Sequence, residues 1–185
     1  MQTSMNNTSS NEIDVPINDV ICPLYIRIVK KCLNFDIDEL ILKGGRSSFK
    51  STVMLVIVVL LVLITKRSAV VIVNHNNAVK KRLIAPLLKV MSMLHVKSAF
   101  HLNKTDMEFE LIGYSGVKIQ CIGCDDPDSI KSMSSEDDTA YCCIAFEELN
   151  NFKAKELVDN IKATFLRGKG KQLVVYAFNP KRVVS

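Results

Sequence analysis

The sequence has no apolar run long enough to cross a bilayer, no obvious second ligand pair at a spacing suited to a zinc site, and no internal repeat. A membrane-spanning helix takes about 18 to 20 apolar residues. The longest run, Val53 to Ile64, holds twelve and then meets Thr65, Lys66 and Arg67. It reads as a buried core element, and a membrane anchor is the reading it argues against. Cys121 and Cys124 make a single CxxC, and Cys142 and Cys143 sit inside an apolar stretch where cysteine behaves as a small hydrophobe. With Cys22 and Cys32 they are expected to be reduced structural thiols. The three histidines, His75, His95 and His101, show no ligand spacing. The start lacks the basic and apolar regions of a signal peptide. Met1 to Asn11 is rich in Ser, Thr and Asn, and residues 1–20 are expected to form a flexible lead-in to a domain over 21–185.

What is present is a chain of 185 residues, 48% of them hydrophobic, which suits one domain with a sizeable core. The net charge of +5 is compatible with contact to DNA and too small to argue for it.

Apolar and basic residues from Ile21 to Phe35 recur at roughly helical spacing. Leu40 to Leu42 is a short apolar burst ending at Gly44-Gly45, which predicts a strand running into a glycine turn. A helix is expected from about Lys50 to Thr65, a strand over Ala69 to Val73, and a helix over Asn76 to Leu94 with Pro86 as a possible kink. Glu108 to Ile112 and Val117 to Ile122 predict a hairpin. Asp125 to Asp138 reads as an acidic loop with a short helix. Tyr141 to Phe146 is a buried strand, Asn151 to Arg167 an amphipathic helix, and Gln172 to Phe178 a last strand. Alternation of this kind points to an α/β fold, a mostly parallel central sheet with helices on both faces.

Two segments carry chemistry. Lys43-Gly44-Gly45-Arg46-Ser47-Ser48-Phe49-Lys50-Ser51-Thr52 compares with the phosphate loop G-x-x-x-x-G-K-[ST]. Backbone N–H groups of such a loop, opening onto a helix N-terminus, cradle a phosphate. Lys50 would reach the β- and γ-phosphates and the Ser51 hydroxyl would hold Mg²⁺. Phe49 stands where the second glycine belongs, and its ring is expected to turn into the core. A plain glycine-serine turn is the alternative. The second segment is the apolar strand ending in Glu147-Glu148, a Walker B arrangement. Its first acid assists Mg²⁺ and its second polarises the attacking water. The alternative is an acidic helix start.

With these motifs in order, the sequence resembles the N-terminal ATPase domain of the large terminase subunits of tailed bacteriophages, especially the PBSX-like group. Residues 43–51 resemble the family's Walker A, with Arg46 as its arginine. Ile122 to Ser132, through Asp125-Asp126-Pro127, resembles its "GxDDPxKxKS" segment. Phe146 to Phe152 resembles its Walker B, and Phe178-Asn179-Pro180 its coupling motif. The resemblance implies a P-loop NTPase fold of the additional-strand, catalytic-glutamate type. It also implies an ATP hydrolase that uses ATP and Mg²⁺ to drive double-stranded DNA into a prohead. The nucleotide would contact Gly44, Gly45, Arg46, Ser47, Ser48, Lys50, Ser51 and Thr52. The metal would meet Ser51 and Glu147. Glu148, Arg46 and Asn179 would act in catalysis, Arg46 on the γ-phosphate in cis and Asn179 as its sensor.

Arg167 reads first as a solvated helix end, with a finger for a neighbouring subunit as the alternative. The implied partners are the portal, a small terminase subunit and further copies of the chain in a ring, in the cytoplasm of a bacterial host. No basic residue is obvious at Val73-Asn74-His75, where the family has one. The aspartates of the family's C-terminal nuclease domain are missing, so no nuclease activity is expected of this chain. Lys80, Lys81 and Arg82 read as a solvated helix face, with a DNA contact as the alternative. Two rival readings stay open: another P-loop ATPase, or a degenerate fold that binds DNA or a terminase partner without hydrolysis.

Overall fold

The structure is a computed structural model, described here for residues 16–45, 47–125, 141–152 and 155–180. Seven strands form one sheet: β1 (Glu39–Lys43), β2 (Ala69–Val73), β3 (Phe100–Asn103), β4 (Glu108–Leu111), β5 (Lys118–Gly123), β6 (Cys143–Glu147) and β7 (Leu173–Phe178). Their spatial order is β1-β7-β6-β2-β5-β4-β3. The first five in that order are parallel, and β4 and β3 close the far edge antiparallel. β7 is thereby inserted between β1, which leads into the phosphate-loop sequence, and β6, which ends in the paired acids. This is the additional-strand form of the P-loop NTPase fold.

Strand alternation divides the interior in two. Ala69, Val71 and Val73 of β2 face one core, shared with Cys143 and Ala145 of β6 and Val175 and Ala177 of β7. Val70 and Ile72 face the other, with Ile144, Phe146, Val174 and Tyr176. The first face is covered by α3 (Lys50–Thr65), which packs between α2 (Pro23–Leu33) and α5 (Ala85–Met93). Because α3 is enclosed by helices and sheet together, every residue from Val53 to Leu63 is buried. That enclosure explains an apolar run without an amphipathic face. The second face is covered by α6 (Lys155–Phe165), whose Ile161 and Phe165 join the Phe146 and Tyr176 cluster.

Three features differ from expectation. Residues 17–20, expected in the lead-in, form the short helix α1 (Ile17–Val20), and Val20 and Ile21 belong to the core. β3 is an addition to the expected strands: Phe100–Asn103 alternates poorly and is fixed by pairing with β4, Phe100 opposite Leu111. The helix predicted over 76–94 runs as α4 (Asn76–Val79), a π-helical turn (Lys80–Ile84) and α5. Pro86 has no N–H and its ring opposes the carbonyl four residues back. The wider turn absorbs this, with Ala85 N–H donating to the Lys80 carbonyl five residues back. Among the described residues, no helix is long and apolar enough to cross a membrane.

Candidate nucleotide site

The site lies at the C-terminal ends of the parallel strands, where open α/β sheets bind ligands. β1 ends at Lys43, the loop follows, and α3 begins at Lys50. The loop is pinned to its neighbour by Gly44 N–H donating to the Phe178 carbonyl at 3.3 Å. Gly44 must lack a side chain, since a Cβ there would lie 2.6 Å from Ser48 Oγ. Ser47 and Phe49 both take left-handed backbone, at φ 63° and 58°. Phe49 therefore occupies the conformation that glycine adopts without cost. Its ring does not enter the core as expected; it is 60% exposed. A left-handed Cα at the mouth of α3 aims the side chain outward, leaving the helix N-terminus clear.

Lys50 is buried at 8% exposure. Its ammonium donates to Asn179 Oδ1 at 2.7 Å and to the Gly45 carbonyl at 3.2 Å. Next along the helix, Ser51 Oγ donates to Glu147 Oε1 at 2.7 Å. Side chains separated by 96 and 129 residues in sequence thus meet at one point. A cleft of about 360 Å³ over the loop is lined by residues 47–52.

The two acids behave differently. Glu147, the last residue of β6, is buried, and burial raises its carboxyl above the usual range, with the Ser51 hydroxyl opposing and the Glu148 charge adding. Glu148 leaves the strand in left-handed backbone at φ 54°. Its Oε1 pairs with the Arg82 guanidinium, and its Oε2 accepts Asn151 Nδ2 at 2.7 Å. Lys80, Lys81 and Arg82 are all exposed, as expected of a solvated face, and Arg82 in addition reaches Glu148 from the π-helical turn. Sequence reasoning gives neither Arg82 nor Asn151 a role: Arg82 meets Glu148 only through the fold, and Asn151, three residues on, reaches it only because Glu148 turns left-handed into a short helical turn.

Two buried oxygens at the site have no hydrogen-bond partner among the described residues, Ser48 Oγ and Glu147 Oε2. An unpaired buried oxygen costs free energy unless a ligand meets it. Hard oxygen donors on Ser51 and Glu147, with a lysine beside them, fit Mg²⁺ and a polyphosphate. Glu147 Oε2 would accept from a metal-bound water if Mg²⁺ were held there, and Lys50 would exchange its protein acceptors for phosphate oxygens.

Arg46 and Asp126 to Ser132, the greater part of the Asp-Asp-Pro segment, lie outside the described residues. Asp125 is described: it accepts Asn76 N–H at 2.5 Å and pairs with His75 Nδ1 at 2.6 Å, tying the end of β5 to the start of α4. The Asn76 backbone hydrogen bond, followed by the one from His75, holds the Asp125 carboxyl below the usual range. Gly123 is required there, since a Cβ would lie 2.3 Å from Asn76 N. Arg167 follows α6, next to the start of β7 and hence at the opposite end of the sheet, with Nε donating to the Ala163 carbonyl at 3.0 Å. The cysteines are free, and burial raises the thiols of Cys121 and Cys124, the latter to about 12. No group of three or more metal-ligating side chains occurs among the described residues.

Residues 38–184 match the family described as phage terminase large subunit. The chain belongs to that family. Its fold is similar to the large terminase of a thermophilic bacteriophage, with 16% identity over 82% of this chain and 38% of that one, at a TM-score of 0.63. It is similar to the large terminase of bacteriophage HK97, with 9% identity over 85% of this chain and 33% of that one, at 0.63. The N-terminal domain of the DNA packaging ATPase from bacteriophage phi29 matches with 16% identity over 84% of this chain and 80% of that one, at 0.62. The thermophilic phage terminase has been solved with ATP-gamma-S and with ADP. The chain thus spans 38% of the thermophilic phage protein and 33% of the HK97 protein, the part with the terminase ATPase fold. No curated protein matches the sequence.

Proposed function

We propose that this terminase domain binds ATP with Mg²⁺, hydrolyses it, and uses the cycle to move double-stranded DNA into a phage prohead. The supporting observation is the convergence of Lys50, Ser51, Glu147 and Asn179 on one point beside Glu148. Lys50 would turn from Asn179 to the β- and γ-phosphate oxygens, helped in cis by Arg46. Backbone N–H groups from Gly44 to Thr52 would hold the polyphosphate at the start of α3. Ser51 and Glu147 would hold Mg²⁺, which neutralises charge on the β- and γ-oxygens when bound. Glu148, aimed by Arg82 and Asn151, would orient water in line with the γ-phosphate and take its proton.

Asn179 follows β7 directly, so its bond to Lys50 is formed or broken according to what the ammonium grips. That exchange is a means of passing γ-phosphate loss to the chain beyond β7. Copies of the chain in a ring, a portal, a small terminase subunit and a bacterial cytoplasm are the setting this reading needs.

The test is phosphate release beside ATP titration, for the wild type and for Glu148→Gln. The expected result is turnover in the wild type, and binding without turnover in the variant. Equal turnover in both removes Glu148 from the mechanism. The second reading, a domain that binds without hydrolysing, is favoured by Phe49 at the glycine position. ATP binding with no phosphate release from the wild type would establish it.

A further inference from the structure

The family match begins at residue 38, yet the phosphate loop is held from a helix before it. Tyr25, near the start of α2, donates its hydroxyl proton to the Ser48 carbonyl at 3.0 Å, across 23 residues of sequence. Its ring packs partly buried against the main core, so the hydroxyl is delivered from a fixed base. Ser48 lies between Ser47 and Phe49, two non-glycine residues in left-handed backbone. Each costs the loop free energy that glycine would spare, so its shape needs an external restraint.

The peptide joining Ser48 to Phe49 is planar and trans, so its carbonyl and its N–H point opposite ways. A carbonyl fixed toward Tyr25 therefore fixes the Phe49 N–H on the side away from α2. The same restraint steadies Ser48, whose buried Oγ is one of the two unpartnered oxygens at the site.

We infer that Tyr25 is a positioning residue for nucleotide binding: its hydroxyl holds the phosphate loop in a left-handed shape that Ser47 and Phe49 adopt only at a cost. The inference rests on the nucleotide reading above for its consequence, and on the loop's geometry alone for its cause. It makes α2 part of the binding apparatus, so nucleotide affinity depends on a helix outside the matched family segment.

The experiment compares the wild type, Tyr25→Phe, and Tyr25→Phe with Phe49→Gly. Amide hydrogen exchange follows residues 47–52, and ATP titration follows affinity in the same proteins. Loss of one hydroxyl hydrogen bond should speed loop exchange about fivefold and weaken ATP about fivefold, leaving exchange in α3 beyond its first turn unchanged. A general loss of stability would instead raise exchange across the sheet and α3. Glycine at position 49 removes one of the two strained positions, so the double variant should regain part of the affinity.

Unchanged loop exchange in Tyr25→Phe overturns the inference, whether or not ATP binds. So does faster exchange spread evenly over the whole domain. If the wild type binds no ATP, the nucleotide reading fails, while loop exchange still decides the role of Tyr25.

Discussion

Glu147 is 9% exposed, with one oxygen on Ser51 and the other unpartnered among the described residues. Glu148, one residue on, has a 26% exposed side chain with both oxygens held, by Arg82 and Asn151. The backbone makes the difference. Glu147 ends a strand within the sheet and points at α3, whereas left-handed backbone at Glu148 swings its side chain toward the π-helical turn. Adjacent identical side chains acquire different chemistry from this reversal. The inner acid has a raised pKa and a buried oxygen without a partner among the described residues, and the outer acid is ion-paired and reachable by water.

Substitutions that separate the inner and outer halves test this contrast. The largest effect is expected at the outer acid: Glu148→Gln should lower kcat by about 10² to 10⁴, the usual contribution of a general base, with ATP affinity within about twofold. Stopped phosphate release with a normal titration is the signature. Lys50→Ala strikes the inner half and should weaken ATP by about 10- to 100-fold, the loss of charge-assisted hydrogen bonds. Calorimetric titration measures it, with circular dichroism to establish that the fold persists. Arg82→Ala should lower kcat by about tenfold or less and leave affinity alone, because Asn151 still holds Oε2. An equal change in affinity would place Arg82 in the inner half.

The smallest effect is on stability. Burial raises the Glu147 pKa in the folded state, so the folded form binds this proton more tightly than the unfolded chain does. Stability from the group is full below the ordinary glutamate range and is lost as pH rises through the raised value. Glu147→Gln carries no charge at any pH. Its melting temperature should exceed the wild type's at neutral pH, and the gap should close on acidification. A gap that widens on acidification contradicts the assigned shift.

The frame of the molecule is legible in the sequence because its local signals agree. Leu40 to Leu42, the glycines and the long apolar helix read as strand, loop and helix, and Tyr141 to Glu147 as a buried strand ending in acids. Lys50, Ser51, Glu147 and Asn179 are legible through motif spacing and family resemblance, and the structure brings all four together. The outward turn of Phe49 is not legible, because left-handed backbone leaves no trace in hydropathy. Arg82 reads as a solvated charge because its partner comes from β6 and its reach depends on a π-helical turn that Pro86 induces. Tyr25 looks like one more apolar position of α2; its hydroxyl acquires meaning only once the loop is folded against it.

The account depends on Lys50 and the glutamate pair sharing one nucleotide. A crystal structure with a non-hydrolysable ATP analogue and magnesium tests this directly. It should show the Lys50 ammonium released from Asn179 and bound to β- and γ-phosphate oxygens, with magnesium beside Ser51 and Glu147. A nucleotide bound elsewhere, with the Lys50–Asn179 and Ser51–Glu147 hydrogen bonds undisturbed, would contradict it.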